Sequence, residues 1–278
     1  RIPKTWLGEE IKGSLEKVLS SDKSQPITPV TQQTPLVANA NINPIDYIQI
    51  PDTNTVIERY QSQSNNKLNW KDTHFRLADN SLFMPTPYLM TKHLVNVVNA
   101  QGGIANLYDA QGKVIPANEV QEIYQYLTKD GHGGGVWTWL DAKFEKTTAS
   151  FQKGFDLETN HRLILIGSDK ELHTDISQLV NPVEEDCFVD LDFNAQGMPK
   201  KKSANQNYSQ GQNIYFYQPR ESRVARFNAY SGRARLDCDR NPDYADAGLG
   251  VLAATAPKGR AMPAQGNALG TSAQHREP

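Results

Sequence analysis

Apolar and polar residues alternate most regularly between positions 223 and 251, late in the chain. A period of two indicates a β-strand with one face turned toward a core. After Arg233 and Ala234 the alternation shifts by one position, which we interpret as a β-bulge in a continuing strand. A turn-rich loop over 240–248 and a short apolar strand over 249–253 follow. The predicted inward residues are Ala225, Phe227, Ala229, Ser231, Leu236 and Cys238.

Three other segments show helical periodicity. An apolar stripe over residues 5–20 predicts an amphipathic helix, which must dock on another surface. Two prolines introduce a second helix over 92–100, with His93 at the edge of the core. A third helix is predicted over 117–128. The inward residues of this third helix are Val120, Ile123, Tyr124 and Leu127.

Shorter patterns divide the remainder into strands and loops. The run GGGVWTWLDA at 133–142 predicts a buried strand, whose glycines permit close approach of another backbone. Two hairpins are predicted, with turns at Asp79-Asn80 and at 109–112. Further strands are predicted over 162–166, 182–193 and 214–217, with loops over 144–161 and 194–212 and a loop or short helix over 169–181.

Composition divides the chain into three parts. Residues 22–43 are rich in Ser, Thr, Gln, Asn and Pro, which predicts an extended arm. The final segment is rich in Gly, Pro and Ala, which predicts a flexible tail. We therefore expect a helix and arm over 1–69, a folded domain over 70–255 that contains the alternating segment, and a tail over 256–278.

Charge and cysteine content narrow the class of protein. A formal net charge of −2 over 278 residues lacks the basic footprint of a nucleic-acid-binding protein. No apolar run approaches the ~20 residues of a membrane-spanning helix. No signal peptide is recognised, and because the chain begins at Arg1 a removed leader stays open. Cys187 and Cys238 lie in apolar strand contexts and are expected to be buried free thiols, with a single disulfide as the alternative.

The motifs predict no catalytic site, no cofactor and no metal. The glycines at 133–135 lack the lysine and hydroxyl residue that follow in a phosphate-binding loop. None of His132, His161 and His173 has an evident nucleophile or base beside it in the sequence. We therefore expect a protein that is not an enzyme.

The segment 222–251 contains no Lys, Glu, Gln, Met or Trp, although Lys, Glu and Gln are common elsewhere. All residues at its outward positions can be reached from an AAC or AAT codon by changing adenines, which favours adenine-targeted mutagenesis over chance composition. Its framework, A-x-F-x-A-x-S-x-R-A-x-L-x-C-x(3)-P followed by L-G-V, resembles the variable region of diversity-generating retroelement target proteins of an archaeal-virus type. The run at 133–142 likewise resembles the core of their C-type lectin domain, so that the resemblance covers about 70–254.

This resemblance implies an α+β fold of the C-type lectin-like kind, related to formylglycine-generating enzymes, with a small antiparallel sheet, two helices and long loops. It implies a non-catalytic protein on a virion or cell surface that binds a protein or other macromolecular ligand, without a nucleic-acid partner or membrane insertion. The N-terminal arm would contact an assembly or virion partner. The expected ligand-binding residues are Arg226, Asn228, Tyr230, Gly232, Arg235, Asp237, Asp239, Arg240, Asn241, Asp243, Tyr244, Ala245, Asp246 and Ala247.

Other functions stay open. A structural virion protein without dedicated recognition is one alternative. An enzyme of the formylglycine-generating type would need two cooperating cysteines, whereas both cysteines lie on predicted inward faces. A calcium-dependent carbohydrate lectin is another, although its Glu-Pro-Asn and Trp-Asn-Asp sugar motifs are absent from the sequence. Its calcium would need carboxylates such as Asp186, Asp190 and Asp192, which the polar face of a single strand also explains.

Overall fold

The chain forms two compact units, Arg1–Gln33 and Thr34–Pro278. In the first unit, strands β1 (Thr5–Trp6) and β2 (Glu9–Glu10) pair antiparallel, so the helix predicted from residue 5 is wrong at these positions. The rest of that predicted helix, most of the arm and the tail beyond 256 lie outside the described residues. Besides β1 and β2, the computed structural model describes residues 42–62, 67–129, 135–147, 154–166, 169–180, 183–245 and 250–256.

A seven-stranded mixed sheet forms the centre of the second unit. Its strands are β5 (Val136–Lys146), β6 (Phe155–Ile166), β7 (Asp169–Gln178), β8 (Cys187–Asp190), β9 (Asn213–Tyr217), β10 (Arg223–Tyr230) and β11 (Arg233–Arg240). Their order across the sheet is β7-β6-β5-β10-β11-β9-β8. All neighbours run antiparallel except β9 and β11, which are parallel. The β10–β11 pair is therefore hydrogen-bonded on both sides.

Three α-helices accompany the sheet in the described part of this unit: α1 (Trp70–Asp79), α2 (Pro87–Gln101) and α3 (Ala117–Thr128). The structure confirms α2 and α3, and α2 begins at a proline after the capping side chain of Thr86. The hairpin predicted around Asp79-Asn80 is wrong, because α1 occupies that stretch. The side chain of Asn69 accepts the backbone N–H of Asp72 at 2.8 Å and caps this helix.

A second, three-stranded sheet has the order β12-β4-β3 and consists of β3 (Tyr47–Ile50), β4 (Thr55–Glu58) and β12 (Ala254–Thr255). Every residue of β3 and β4 is buried. Ile48 and Ile57 belong to the same hydrophobic core as α2 and α3. These residues were predicted to be part of the arm, so the folded unit begins well before residue 70.

The inward face of β10 and β11 packs on this core. Ala225, Phe227 and Ala229 are fully buried, as are Leu236 and Cys238 on the neighbouring strand. They share one cluster with apolar side chains of α2 and α3. The predicted inward set is therefore confirmed, except that Ser231 is exposed in a turn.

Two stretches, the first predicted as a loop and the second as a loop or short helix, are strands. Residues 144–161 and 169–181 supply parts of β5, most of β6 and all of β7. Their described side chains are mostly half-buried or exposed on both faces, with few apolar residues at every second position. The alternation of apolar and polar residues that predicts a half-buried strand is therefore missing from these two stretches.

The chain thus has a mixed α+β fold, as predicted, but not the small, wholly antiparallel sheet or the two helices of the expectation. Cys187 and Cys238 are free and buried, which confirms the prediction of buried thiols. Their strands are separated by β9 in the sheet. Burial raises the pKa of both thiols.

Candidate ligand-binding site

The candidate site lies on a β-hairpin rather than on one bulged strand. Tyr230 pairs with Arg233, and the two residues between them, Ser231 and Gly232, have φ angles of 55° and 79°. Two positive φ angles are typical of the tight turn that matches the twist of a hairpin. The bulge predicted after residue 234 is therefore this turn, and the register shift lies near the start of β10, between Val224 and Arg226.

The strand register places two rows of side chains on the outer face of the sheet, opposite the core. One row is Trp137, Asn228, Arg235 and Tyr215, and the other is Trp139, Arg226, Asp237 and Tyr217. Residues paired across neighbouring strands point to the same side, so each row crosses β5, β10, β11 and β9. We call this face of the sheet, with Tyr230 and Arg233, the outer face; Trp139 at its edge is fully buried in a second hydrophobic cluster.

A buried polar network occupies the middle of the outer face. One carboxylate oxygen of Asp237, Oδ2, accepts hydrogen bonds from Arg226 Nη2 at 2.7 Å and from Asn228 Nδ2 at 2.9 Å. The same oxygen lies 3.2 Å from Arg240 Nε. Residue exposure is only 5% for Arg226, 2% for Asn228 and 0% for Asp237. These three residues were expected on the exposed surface, and that expectation is wrong.

Neighbouring aromatic and charged groups explain this burial. The guanidinium carbon of Arg226 lies 4.9 Å from the ring centre of Trp137, which covers it as a cation–π partner. Burial lowers the pKa of Arg226, and the charge of Asp237 opposes that shift. Burial also raises the pKa of Asp239, against the charge of Arg240. The alternation of β10 and β11 predicted the direction of these side chains, but not what covers them.

The network leaves hydrogen-bonding capacity unused. Within the described part of the chain, Asp237 Oδ1, Asn228 Oδ1 and Arg226 Nε are buried without a hydrogen-bond partner. Such atoms cost stability unless water or a ligand satisfies them. The outer face therefore has polar atoms directly beneath its rim that could serve a ligand or its bound waters.

The other predicted residues that the structure describes form the exposed or half-buried rim of the site. Tyr230 and Tyr244 each have 45% of their surface exposed. The ring of Tyr230 packs edge-on against Trp137 at 5.5 Å. Asn241, Asp243 and Ala245 are exposed, whereas Gly232, Arg235, Asp239 and Arg240 are half-buried. Asp246 and Ala247 lie outside the described residues.

Sequence reasoning missed the aromatic platform beside the hairpin. Tyr215 and Tyr217 pack with ring centres 5.0 Å apart on β9. Arg233 lies over Tyr215 at 5.3 Å and Arg240 over Tyr217 at 5.6 Å. Tyrosines two positions apart did signal that both point to one side, but the parallel pairing of β9 with β11 is a long-range contact without a local sequence signal.

The acidic residues in and around β8 form ion pairs with the lysines of the loop that follows it. Lys200, Lys201 and Lys202 form ion pairs with Asp192, Asp190 and Glu185, respectively. Asp186 accepts the backbone N–H of Gln218 at 2.9 Å and lies 3.3 Å from Arg220. The carboxylates considered for calcium therefore each face a cation or a backbone donor rather than one another.

Comparisons with protein-family models, with curated proteins and with solved structures find no match to this chain. Among the described residues, every helix is too short or too polar to cross a lipid bilayer.

Proposed function

We propose that the protein binds a macromolecular ligand through the outer face of the β10–β11 hairpin and the loop at 241–245, without catalysis. One observation carries this proposal. The hairpin buries small and apolar residues on its inward face and places tyrosine, arginine, asparagine and aspartate on the other. Tyrosine and arginine dominate the energetics of binding surfaces, because they contribute large contact area and directional hydrogen bonds.

The charges of the site favour a ligand with acidic groups. Between Arg226 and Arg240 the hairpin contains four arginines and two aspartates. Arg226 and Arg240 are paired with those aspartates. Arg233 and Arg235 form no ion pair with any described residue, so their guanidinium groups are available to carboxylates, sulfates or phosphates on a ligand.

We also propose that the architecture is C-type lectin-like, and that the hairpin is the segment that a retroelement diversifies on a virion or cell surface. Two features support it. The apolar framework residues of the hairpin fill the core, and both strands are hydrogen-bonded on each side. These core residues are Ala225, Phe227, Ala229, Ala234, Leu236 and Cys238. Side chains on the outer face can then change while the backbone is held by its neighbours.

Deep sequencing of this gene across its source population tests the proposal. We expect substitutions, at positions where the template contains adenine, to concentrate on exposed and half-buried positions of the hairpin and loop. Those positions are Tyr230, Gly232, Arg235, Asp239, Arg240, Asn241, Asp243, Tyr244 and Ala245. Ala225, Phe227, Leu236 and Cys238 serve as internal controls, because they are fully buried in the same short segment and should stay constant.

Uniform variation along the gene, or constancy of the rim residues, would overturn the diversified-surface proposal. A structural virion protein would then be favoured. Calcium titration by calorimetry separates the lectin alternative, because only a calcium-dependent lectin should show a stoichiometric heat of binding.

A further inference from the structure

Three potential metal ligands from distant parts of the chain meet in the interior, on and beside strand β5, which pairs with β10 of the hairpin. They are His74 on α1, Asp141 on β5 and His161 on β6. Their side chains are 4%, 1% and 5% exposed, and one ligand atom from each lies within 4.8 Å of the other two. Burial of two imidazoles around one carboxylate is uncommon unless the groups are paired or coordinate an ion.

An irregularity in β6 directs His161 into this cluster. The register of β6 shifts between Thr159 and Arg162, and Asn160 there adopts a φ of 56°. The backbone N–H of His161 then donates to Asp141 Oδ2 at 3.0 Å, and its ring nitrogen Nδ1 lies 2.5 Å from Asp141 Oδ1. Bulges of this kind are typical of positions where a strand re-aims a functional side chain.

Trp70 holds both imidazole rings in place. Its indole packs edge-on against His74 at 4.4 Å and against His161 at 4.8 Å. The indole is itself fixed by a 2.9 Å hydrogen bond from Nε1 to the carbonyl oxygen of Leu140, the residue before Asp141. This arrangement resembles the outer shell that orients the ligands of metal centres.

His74 Nε2 is the atom that the surrounding protein leaves unsatisfied. It is buried, has no hydrogen-bond partner among the described residues, and lies 3.7 Å from Asp141 Oδ1. We propose that His74, Asp141 and His161 bind a divalent transition-metal ion of the zinc class. The ion would bind at His74 Nε2 and bridge α1 to β5 and β6.

The donor set selects the kind of ion. Two imidazoles and one carboxylate suit zinc or a neighbouring first-row metal, whereas calcium requires six to eight oxygen ligands. Bonds of about 2.0–2.1 Å in a tetrahedron place ligand atoms roughly 3.4 Å apart. His161 Nδ1 and Asp141 Oδ1, which lie 2.5 Å apart, would therefore separate by about 0.9 Å as the ion replaces the proton between them, and His74 Nε2 would move closer to Asp141 Oδ1 from 3.7 Å. A water molecule would complete the four ligands. The sequence carries no local metal motif, because these residues are separated by 67 and 20 positions.

Metal titration of the full chain tests this site. Protein dialysed against a chelator should bind one equivalent of Zn²⁺ in calorimetry and show a higher melting temperature with the metal. Added Co²⁺ should give the intense visible absorption of a tetrahedral site. The His74→Gln variant should bind Zn²⁺ more than about 100-fold more weakly, since even the loss of an outer-shell partner costs 10–100-fold.

The matched control is His173→Gln, because His173 is an exposed histidine on the neighbouring strand β7. It should bind Zn²⁺ like the wild type. Absence of stoichiometric binding in the wild type, or loss of binding in His173→Gln with retention in His74→Gln, would overturn the proposal. If His74→Gln does not fold by circular dichroism, the Co²⁺ spectrum of the wild type decides: a tetrahedral band supports the site and its absence refutes it.

Discussion

Arg226 and Asp237 form a buried ion pair at the centre of the surface that we propose to bind ligands. Their atoms Nη2 and Oδ2 lie 2.7 Å apart, and their side chains are 7% and 0% exposed. Arg226 and Asp237 are thus structural residues, although they lie at the centre of the proposed binding face. Variation there is restricted, because a charge left buried without its partner is costly, whereas joint replacement of both partners is tolerated.

The first prediction concerns Asp237. Asp237→Ala removes the acceptor of Arg226 and Asn228 and leaves a buried guanidinium unpaired, so we expect a loss of about 3–5 kcal/mol in the free energy of unfolding. Urea denaturation measures it. Asp243→Ala, an exposed aspartate in the adjoining loop, is the control and should change stability by less than about 0.5 kcal/mol. Equal effects of the two substitutions would contradict the buried network.

The second prediction concerns the unpaired arginines. At low ionic strength the double variant Arg233→Gln/Arg235→Gln should bind poly-L-glutamate about tenfold more weakly than the wild type, or about 1.4 kcal/mol. Arg162→Gln removes an exposed arginine from β6 and should have little effect. Added salt should weaken wild-type binding, because exposed charges are screened. Fluorescence anisotropy of a labelled polymer gives the affinities, and unchanged binding by the double variant would argue against an acidic ligand.

The third prediction concerns Gly197, which packs against the start of α2. Its φ is 78°, and an added Cβ would lie 2.2 Å from the backbone carbon of Pro87 and from the backbone nitrogen of Tyr88. Neither atom can move without shifting the helix, so Gly197→Ala should cost roughly 3 kcal/mol or more.

The control for that substitution is Gly103→Ala. Gly103 has a similar φ of 70°, but nothing lies within 4 Å of its added Cβ. This variant should lose only about 1–2 kcal/mol from backbone strain. Thermal unfolding of both proteins checks the difference, and similar melting temperatures would show that the contact with α2 is looser than described.

The fourth prediction concerns the pH dependence of stability. Burial raises the pKa of Glu58 to about 7, although the backbone N–H of Ala253 donates to it at 2.8 Å and the neighbouring Tyr47 hydroxyl also lies within reach. The charge of Asp46 adds to the upward shift. A carboxyl whose pKa is higher in the folded state holds its proton more tightly there than in the unfolded chain, so stability falls as pH rises.

That fall should occur between about pH 4.5, the ordinary value, and about pH 7, and should amount to about 3 kcal/mol. Glu58→Gln keeps an acceptor for Ala253 but does not ionise. The variant should therefore be more stable than the wild type at pH 8 and similar to it at pH 4. Urea unfolding at both values measures the difference, and parallel pH profiles for the two proteins would disprove the shift.

The sequence predicted best those elements whose side chains alternate against one core. The inward residues Phe227 and Leu236 and the helices α2 and α3 are of this kind. It found the end of β6 over 162–166 but failed for the first half of β6 and for β7, because those segments have no regular apolar period. The hairpin turn at Ser231-Gly232 was interpreted as a bulge, because both features shift the alternation by one position.

In the candidate site, too, the sequence predicted only the features that have a local pattern. The sequence identified its strands and exposed rim, since those depend on local alternation and turn residues. It could not show that Asp237 is enclosed by Arg226 and Asn228, because enclosure depends on β5 and β9, which are distant in the chain. The cluster of His74, Asp141 and His161 was hidden for the same reason.

The position of the hairpin in the sheet has a consequence for how the protein is made. Residues of β5 and β9 leave the ribosome before residue 223, yet their facing edges are joined only by β10 and β11. Until the hairpin is inserted between them, the nascent chain exposes two unpaired strand edges, which are prone to aggregation. A variant of this hairpin that cannot complete the sheet would therefore aggregate before its outer face could bind a ligand.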